Sequence, residues 1–199
     1  MAASAAPYGL RLHKMRGNVA CSGATNEYRI ASAEADVFYN GQPVQLVGGY
    51  IVNCSAGNLG TSSTPDEYIG VFVGCSYTDP NTSTKVWKHY YPGGVAASDI
   101  VAYIVDDPAA QFMIQANTED FNALDALNNC YALESVTVGS TVHGNSIIEL
   151  DVDGSPAAGV TLPFKVVGIA GLPDNVNADG WVDCIVQING GFHILDRNG

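Results

Sequence analysis

Four histidines, His13, His89, His143 and His193, are the ready acid–base groups of this chain, and no two stand at metal-ligand spacing. They read as structural histidines, satisfied in a core or exposed. Five cysteines, Cys21, Cys54, Cys75, Cys130 and Cys184, are widely spaced, odd in number and lack a C-x-x-C pair. They read as reduced thiols serving as small core hydrophobes, which fits synthesis in a reducing cytosol. Asp151-Val152-Asp153-Gly154 opens like a calcium loop, but Leu162 stands at the twelfth position, where such a loop needs Glu. Alternate carboxylates leaving a strand into an Asp-Gly turn explain it better. Asp106 and Asp107 are neighbours, and on a strand neighbours point to opposite faces, so they would not share a proton. Pro108 after them fits a strand end. There is no phosphate-cradling G-x-x-x-x-G-K-[ST]. Gly144-Asn145-Ser146-Ile147-Ile148 lacks the second glycine of a nucleophile elbow. The expectation is a protein without catalytic residues, metal or cofactor.

One run carries recognition chemistry. In Val86-Trp87-Lys88-His89-Tyr90-Tyr91, a period of two would place Trp87, His89 and Tyr91 on one strand face. Such a stripe could anchor a protein partner or stack on a sugar ring, and core packing is the ordinary alternative.

The elements that would hold these residues are short and rich in Val, Ile and Tyr, cut by Gly, Pro, Asn and Asp. Strands are expected at 27–31, 43–47, 50–53, 67–74, 84–91, 100–105, 111–116, 134–138, 146–151, 164–169, 181–188 and 192–195. Asn40-Gly41, Gly48-Gly49, Asp153-Gly154, Asp179-Gly180 and Asn189-Gly190 are hairpin-type dipeptides between them. Thr118-Glu119-Asp120-Phe121 opens the best helix, with Phe121, Leu124 and Leu127 at helical spacing and Asn128-Asn129 to end it. Residues 55–66 read as a mobile surface loop. The fold class expected is mainly β, a barrel or sandwich with one short helix and an extended N-terminal arm. The division expected is an arm over residues 1–20 and a single β-rich domain over 21–199.

The 199 residues suffice for one compact domain, and only 14% are charged. The formal net charge is −12, from 8 Lys and Arg against 20 Asp and Glu. It divides into +3 over residues 1–29 and −15 over the rest. An acidic body excludes a general nucleic-acid binder, which needs a basic face. No stretch reaches the roughly 18 apolar residues of a membrane span. The opening residues lack the charged and apolar regions of a secretory signal. The basic arm is expected to contact a partner, with Tyr8, Leu10 and Leu12 filling pockets and Arg11, Lys14 and Arg16 supplying charge. Deletion of residues 2–16 is expected to abolish that contact and spare the fold.

The succession Gly70–Pro80, Trp87–Tyr91 and Ala97–Pro108 resembles the capsid decoration, or cement, proteins of tailed bacteriophages, small structural proteins encoded among the head genes. Pro7–Arg11, Leu162–Gly168 and Trp181–Leu195 are similar to that group too. The resemblance implies a β-rich structural protein on the outer surface of a mature virion head, without catalysis. It implies the major capsid protein as partner and self-association, in trimers or other clusters at local symmetry axes. A glycan-binding or host-surface adhesion module is the rival reading, and a small β-barrel hydrolase is a more distant one.

Overall fold

The computed structural model describes residues 5–17, 25–54, 67–118, 122, 124–135, 138–153, 157–158, 162–172, 175 and 180–196. Its strands are β1 (Arg11–Met15), β2 (Asn26–Arg29), β3 (Gln42–Val47), β4 (Tyr50–Asn53), β5 (Tyr68–Thr78), β6 (Lys85–Lys88), β7 (Val101–Val105), β8 (Ala110–Gln115), β9 (Asn129–Leu133), β10 (Leu150–Asp151), β11 (Ala157–Ala158), β12 (Phe164–Ile169) and β13 (Asp183–Ile188). The chain is mainly β, as its composition leads one to expect. The helical content described is a single 3-10 turn at Ile194–Asp196.

The strands form two sheets. In one, β3, β4, β2, β7 and β5 follow in order and β3 pairs again with β5, so five strands close into a barrel. β6 extends this sheet from β5. The barrel is filled by side chains, as small barrels are. Phe38, Val44, Ile51, Ile69, Phe72, Tyr91 and Ile104 all lie in its core. Phe38 meets Phe72 at 5.9 Å and Tyr91 at 5.7 Å between ring centroids. Burial of each such aromatic contributes about 2–3 kcal/mol.

The other sheet runs β1-β8-β13-β12-β9-β10, with β11 also on β9. It curls, because Leu150 bridges back to Ala116 just past β8. Its inner face carries Phe112, Ile114, Phe164, Val166, Cys184 and Val186. Tyr68, Val71 and Val105 come from barrel strands yet pack in this same cluster. The barrel wall and the curled sheet therefore share one apolar layer, where Tyr68 lies 5.5 Å from Phe164.

β5 explains how this is possible. It is buried along almost its whole length, so it reads as a continuous apolar run rather than an alternating one. Ile69 and Phe72 face the barrel, and Tyr68 and Val71 face the sheet. At Gly70 the β7 backbone comes so close that a Cβ would sit 2.1 Å from the Val105 carbonyl oxygen. Glycine there lets the barrel close.

The basic N-terminal segment belongs to this body. Residues 5–10 lead, through Gly9 at a φ of 73°, into β1, which pairs antiparallel with β8. Leu10 is 2% exposed, in the sheet's core cluster, and its N–H donates to the Gly41 carbonyl at 2.8 Å. Residues 5–17 are thus not a separate arm. Removing residues 2–16 would remove an edge strand and a core leucine, so the expectation that this deletion spares the fold is corrected.

Other boundaries also move. The strand expected at 134–138 is absent at Glu134, Ser135 and Val138, while residues 136 and 137 lie outside the described residues; β9 ends just before it at Leu133, and of 146–151 just Leu150–Asp151 is strand. Ser146 makes an isolated bridge to Gly139, and Asn145 makes one to Asn40. Residues 192–195 run through a bridge at His193 into the 3-10 turn. Of the expected helix, Glu119, Asp120, Phe121 and Ala123 lie outside the described residues. Residues 124–128 form turns with three-residue hydrogen bonds, Asp125 N–H to Asn122 O and Leu127 N–H to Leu124 O. Cys21, the loop at 55–66, Gly154 and Asp179 also lie outside the described residues.

Candidate functional site

The outer face of the curled sheet gathers the protein's scarce positive charge. Pairing register places residues side by side across strands, and paired residues share a face. Lys14 of β1 is opposite Gln111 of β8, Gln111 is opposite Gln187 of β13, and Gln187 is opposite Lys165 of β12. Arg11 is opposite Met113, two residues along β8 on the same face. Arg16 continues the ladder, its N–H donating to the Ala109 carbonyl at 2.9 Å. Four of the eight Lys and Arg residues therefore share one sheet face.

Three of these four cations form no close ion pair among the described residues. Lys14, Arg16 and Lys165 make no ion pair among the described residues, while Lys85 pairs with Asp99 at 3.1 Å on the barrel side. The Arg11 guanidinium lies over the Tyr8 ring, 4.4 Å from its centroid. The Tyr8 hydroxyl donates to Asp183 Oδ1 at 2.6 Å. Burial and the adjoining Asp183 carboxylate raise the Tyr8 pKa, so this phenol stays protonated.

A cleft of about 570 Å³ opens on this face, lined among others by Arg16, Gln111, Lys165, Gln187, Asn189 and Asp196. Gln187 Nε2 donates to the Pro108 carbonyl at 2.7 Å, which fixes its amide. Asn189 Nδ2 donates to the Leu162 carbonyl at 3.0 Å. Gln111 is only 9% exposed, and its side-chain amide makes no hydrogen bond among the described residues. The site presents two cations, several amides and one carboxylate, with no aromatic platform among the lining residues. Such a surface recognises oxyanions and hydrogen-bonding groups.

The six N-terminal residues singled out from sequence divide between two roles. Arg11, Lys14 and Arg16 point to the outer face, whereas Leu10 is core and Leu12 is half-buried against the core. Tyr8 is half-buried and tied to Asp183. The leucines cannot fill a partner's pockets, because they fill this protein's own. Lys165, Gln111 and Gln187 were not singled out, since only strand register brings them beside Arg16.

The aromatic stripe does not form. β6 ends at Lys88 and the chain bends at His89 and Tyr90, so the alternation of a strand does not continue to Tyr91. Trp87 is 69% exposed, and Tyr91 is fully buried against Phe38. His89 Nε2 is hydrogen-bonded with Asn145 Oδ1 at 2.7 Å on the surface.

Two titratable clusters lie elsewhere. Asp106 is buried and accepts from Asn26 Nδ2 at 2.9 Å and from the Tyr28 hydroxyl at 2.7 Å. A second, smaller cleft of about 330 Å³ holds Glu134 and Glu149. Burial first, and then the Glu134 carboxylate, raise the Glu149 pKa. Among the described residues, no group of three or more His, Cys, Asp or Glu is arranged to hold a metal ion. No helix described is long and apolar enough to cross a membrane.

No family model, curated protein or solved structure matches the chain.

Proposed function

We propose that this protein is a structural component of a virus particle, which binds the outer surface of a bacteriophage capsid and stabilises the mature head without catalysing a reaction. The observation that carries this reading is the cationic sheet face of Arg11, Lys14, Arg16 and Lys165 on a body of net charge −12. A small cationic face in an acidic molecule orients the protein on an acidic surface and leaves the acidic remainder toward solvent. The resemblance of residues 70–108 to capsid decoration proteins names the major capsid protein as the partner. Binding that favours the mature lattice stabilises it by mass action, by about 2.7 kcal/mol per site at a hundredfold excess over Kd. Self-association, most simply as a trimer, would multiply the avidity of each weak contact.

The experiment is co-sedimentation of the purified protein with mature capsids, followed by thermal disruption of the particles. Saturating protein should raise the disruption temperature, and Lys14→Glu with Arg16→Glu should abolish binding. Equal particle stability at saturation, or binding unaffected by these charge reversals, overturns the reading.

A further inference from the structure

Resting on the capsid-binding reading, we infer that the cleft between Arg16 and Lys165 is the specific part of the cationic face, a seat for an acidic peptide segment of the partner protein. The rest of the face would attract any negative surface, and the cleft adds a shape.

Its residues fit a chain segment better than a lone ion. A volume of about 570 Å³ lies within the roughly 300–1,000 Å³ of clefts that take ligands larger than a single ion. A single oxyanion would occupy a fraction of it, with the Asp196 carboxylate on the same wall. A peptide satisfies every group present. Its carboxylates meet Arg16 and Lys165, which have no acidic partner among the described residues. Its backbone N–H groups donate to Asp196 and to amide oxygens, and its carbonyls accept from amide N–H groups.

Gln111 gives a second and independent sign. It is nine-tenths buried, lines the cleft, and its side-chain amide makes no hydrogen bond among the described residues. The amide faces the open cleft, where a ligand main chain can take up its hydrogen-bonding capacity in place of solvent. The neighbouring amides are already held, Gln187 by the Pro108 carbonyl and Asn189 by the Leu162 carbonyl. They form a preset wall, and preset groups lose little freedom on binding.

The test is titration of the full chain with a short Asp- and Glu-rich peptide, capped at both ends. Three comparisons run beside it: the same peptide with Asn and Gln, inorganic phosphate, and an oligogalacturonate. The acidic peptide should bind, weaken as salt rises, and lose about tenfold or more in affinity with Lys165→Ala or Gln111→Leu. Lys165→Arg should retain most of the affinity, and Lys85→Ala, on the barrel side, should not change it. Circular dichroism of each variant identifies any that fail to fold, and Arg16→Ala, at an exposed edge position, serves in their place. Equal binding of the neutral peptide, phosphate that binds as well as the peptide, or preference for the acidic saccharide overturns the inference. Capsid binding that persists in folded cleft variants also overturns it while leaving the capsid reading intact. Peptide binding without capsid binding has the reverse consequence.

Discussion

The hydroxyl of Tyr8 donates to the carboxylate of Asp183 across 2.6 Å, and this bond ties the start of the chain to the first residue of β13. Two residues on, Leu10 enters the core between the two sheets' strands and the loop at Gly41. The N-terminal segment is thus a built part of the fold that happens to carry the cations outward.

Stability should report this directly. Leu10→Ala should cost about 2–5 kcal/mol, the range for a buried leucine that leaves a cavity. Tyr8→Phe should cost about 1–2 kcal/mol through loss of a hydrogen bond to a charged acceptor. Deletion of residues 2–16 should leave a chain that does not unfold cooperatively. Urea unfolding followed by tryptophan fluorescence measures all three. A deletion variant as stable as the whole chain would restore the idea of a separate arm.

At Gly70 the prediction is steric. A Cβ would lie 2.1 Å from the Val105 oxygen and 2.8 Å from its carbonyl carbon, both backbone atoms that cannot rotate away. Gly70→Ala should therefore destabilise by about 3 kcal/mol or more. Gly171→Ala meets nothing within 4 Å and should stay within about 0.5 kcal/mol of the parent. Comparable unfolding midpoints for the two variants would refute the close approach of β5 and β7.

Much of this architecture was legible because it rests on local pattern. The runs at 50–53 and 164–169 are strands at those limits, and β5 announces itself as an apolar stretch. β1 was hidden because its outward residues are Arg11 and Lys14, leaving just Leu12 and Met15 to report burial. β9 was hidden behind Asn128-Asn129, which reads as a stop signal. Asn128 does take a positive φ of 70°, but it opens a strand instead of ending a helix. The cleft was illegible for a deeper reason. Gln111, Lys165 and Gln187 are far apart in sequence, and their adjacency is a property of register between strands, which no local window contains.

The thiols should be inert in the folded protein. Burial pushes Cys75 and Cys184 up to about 12, and Cys54 and Cys130 are buried as well. The thiolate is the reactive form, so little of it exists at neutral pH. Alkylation with iodoacetamide, read by peptide mass mapping, should leave these four unmodified in native buffer and modify them in guanidinium. Fast native labelling of Cys75 or Cys184 would contradict the core as described.

Glu149 predicts a pH dependence from the second cleft. Burial and the Glu134 carboxylate raise its pKa above the ordinary 4.5, so the folded state holds this proton more tightly than the unfolded chain. Its contribution is complete below 4.5 and is lost as pH rises through the folded value. At neutral pH the pair therefore costs stability. Glu149→Gln should raise the neutral unfolding midpoint and have little effect well below that range. A neutral midpoint unchanged by the substitution would mean that neither burial nor the Glu134 carboxylate disfavours the charged form of Glu149.

His193 predicts a dependence of the opposite sign. Its side chain is 1% exposed, Nδ1 accepts from the Leu195 N–H at 3.2 Å, and buried Nε2 has no hydrogen-bond partner. With Nδ1 accepting, the proton of the neutral ring is on Nε2. Burial holds the pKa below the ordinary 6.5, while Asp106, Asp196 and Asp107 pull the other way more weakly. The unfolded chain therefore binds this proton more readily than the folded one. Stability from the neutral ring is complete above 6.5 and declines as pH falls from there through the folded value. His193→Asn can keep an acceptor near the Leu195 N–H and does not titrate. It should flatten the decline below pH 6.5 measured by thermal unfolding, and a slope identical to that of the parent protein would place its origin in another group.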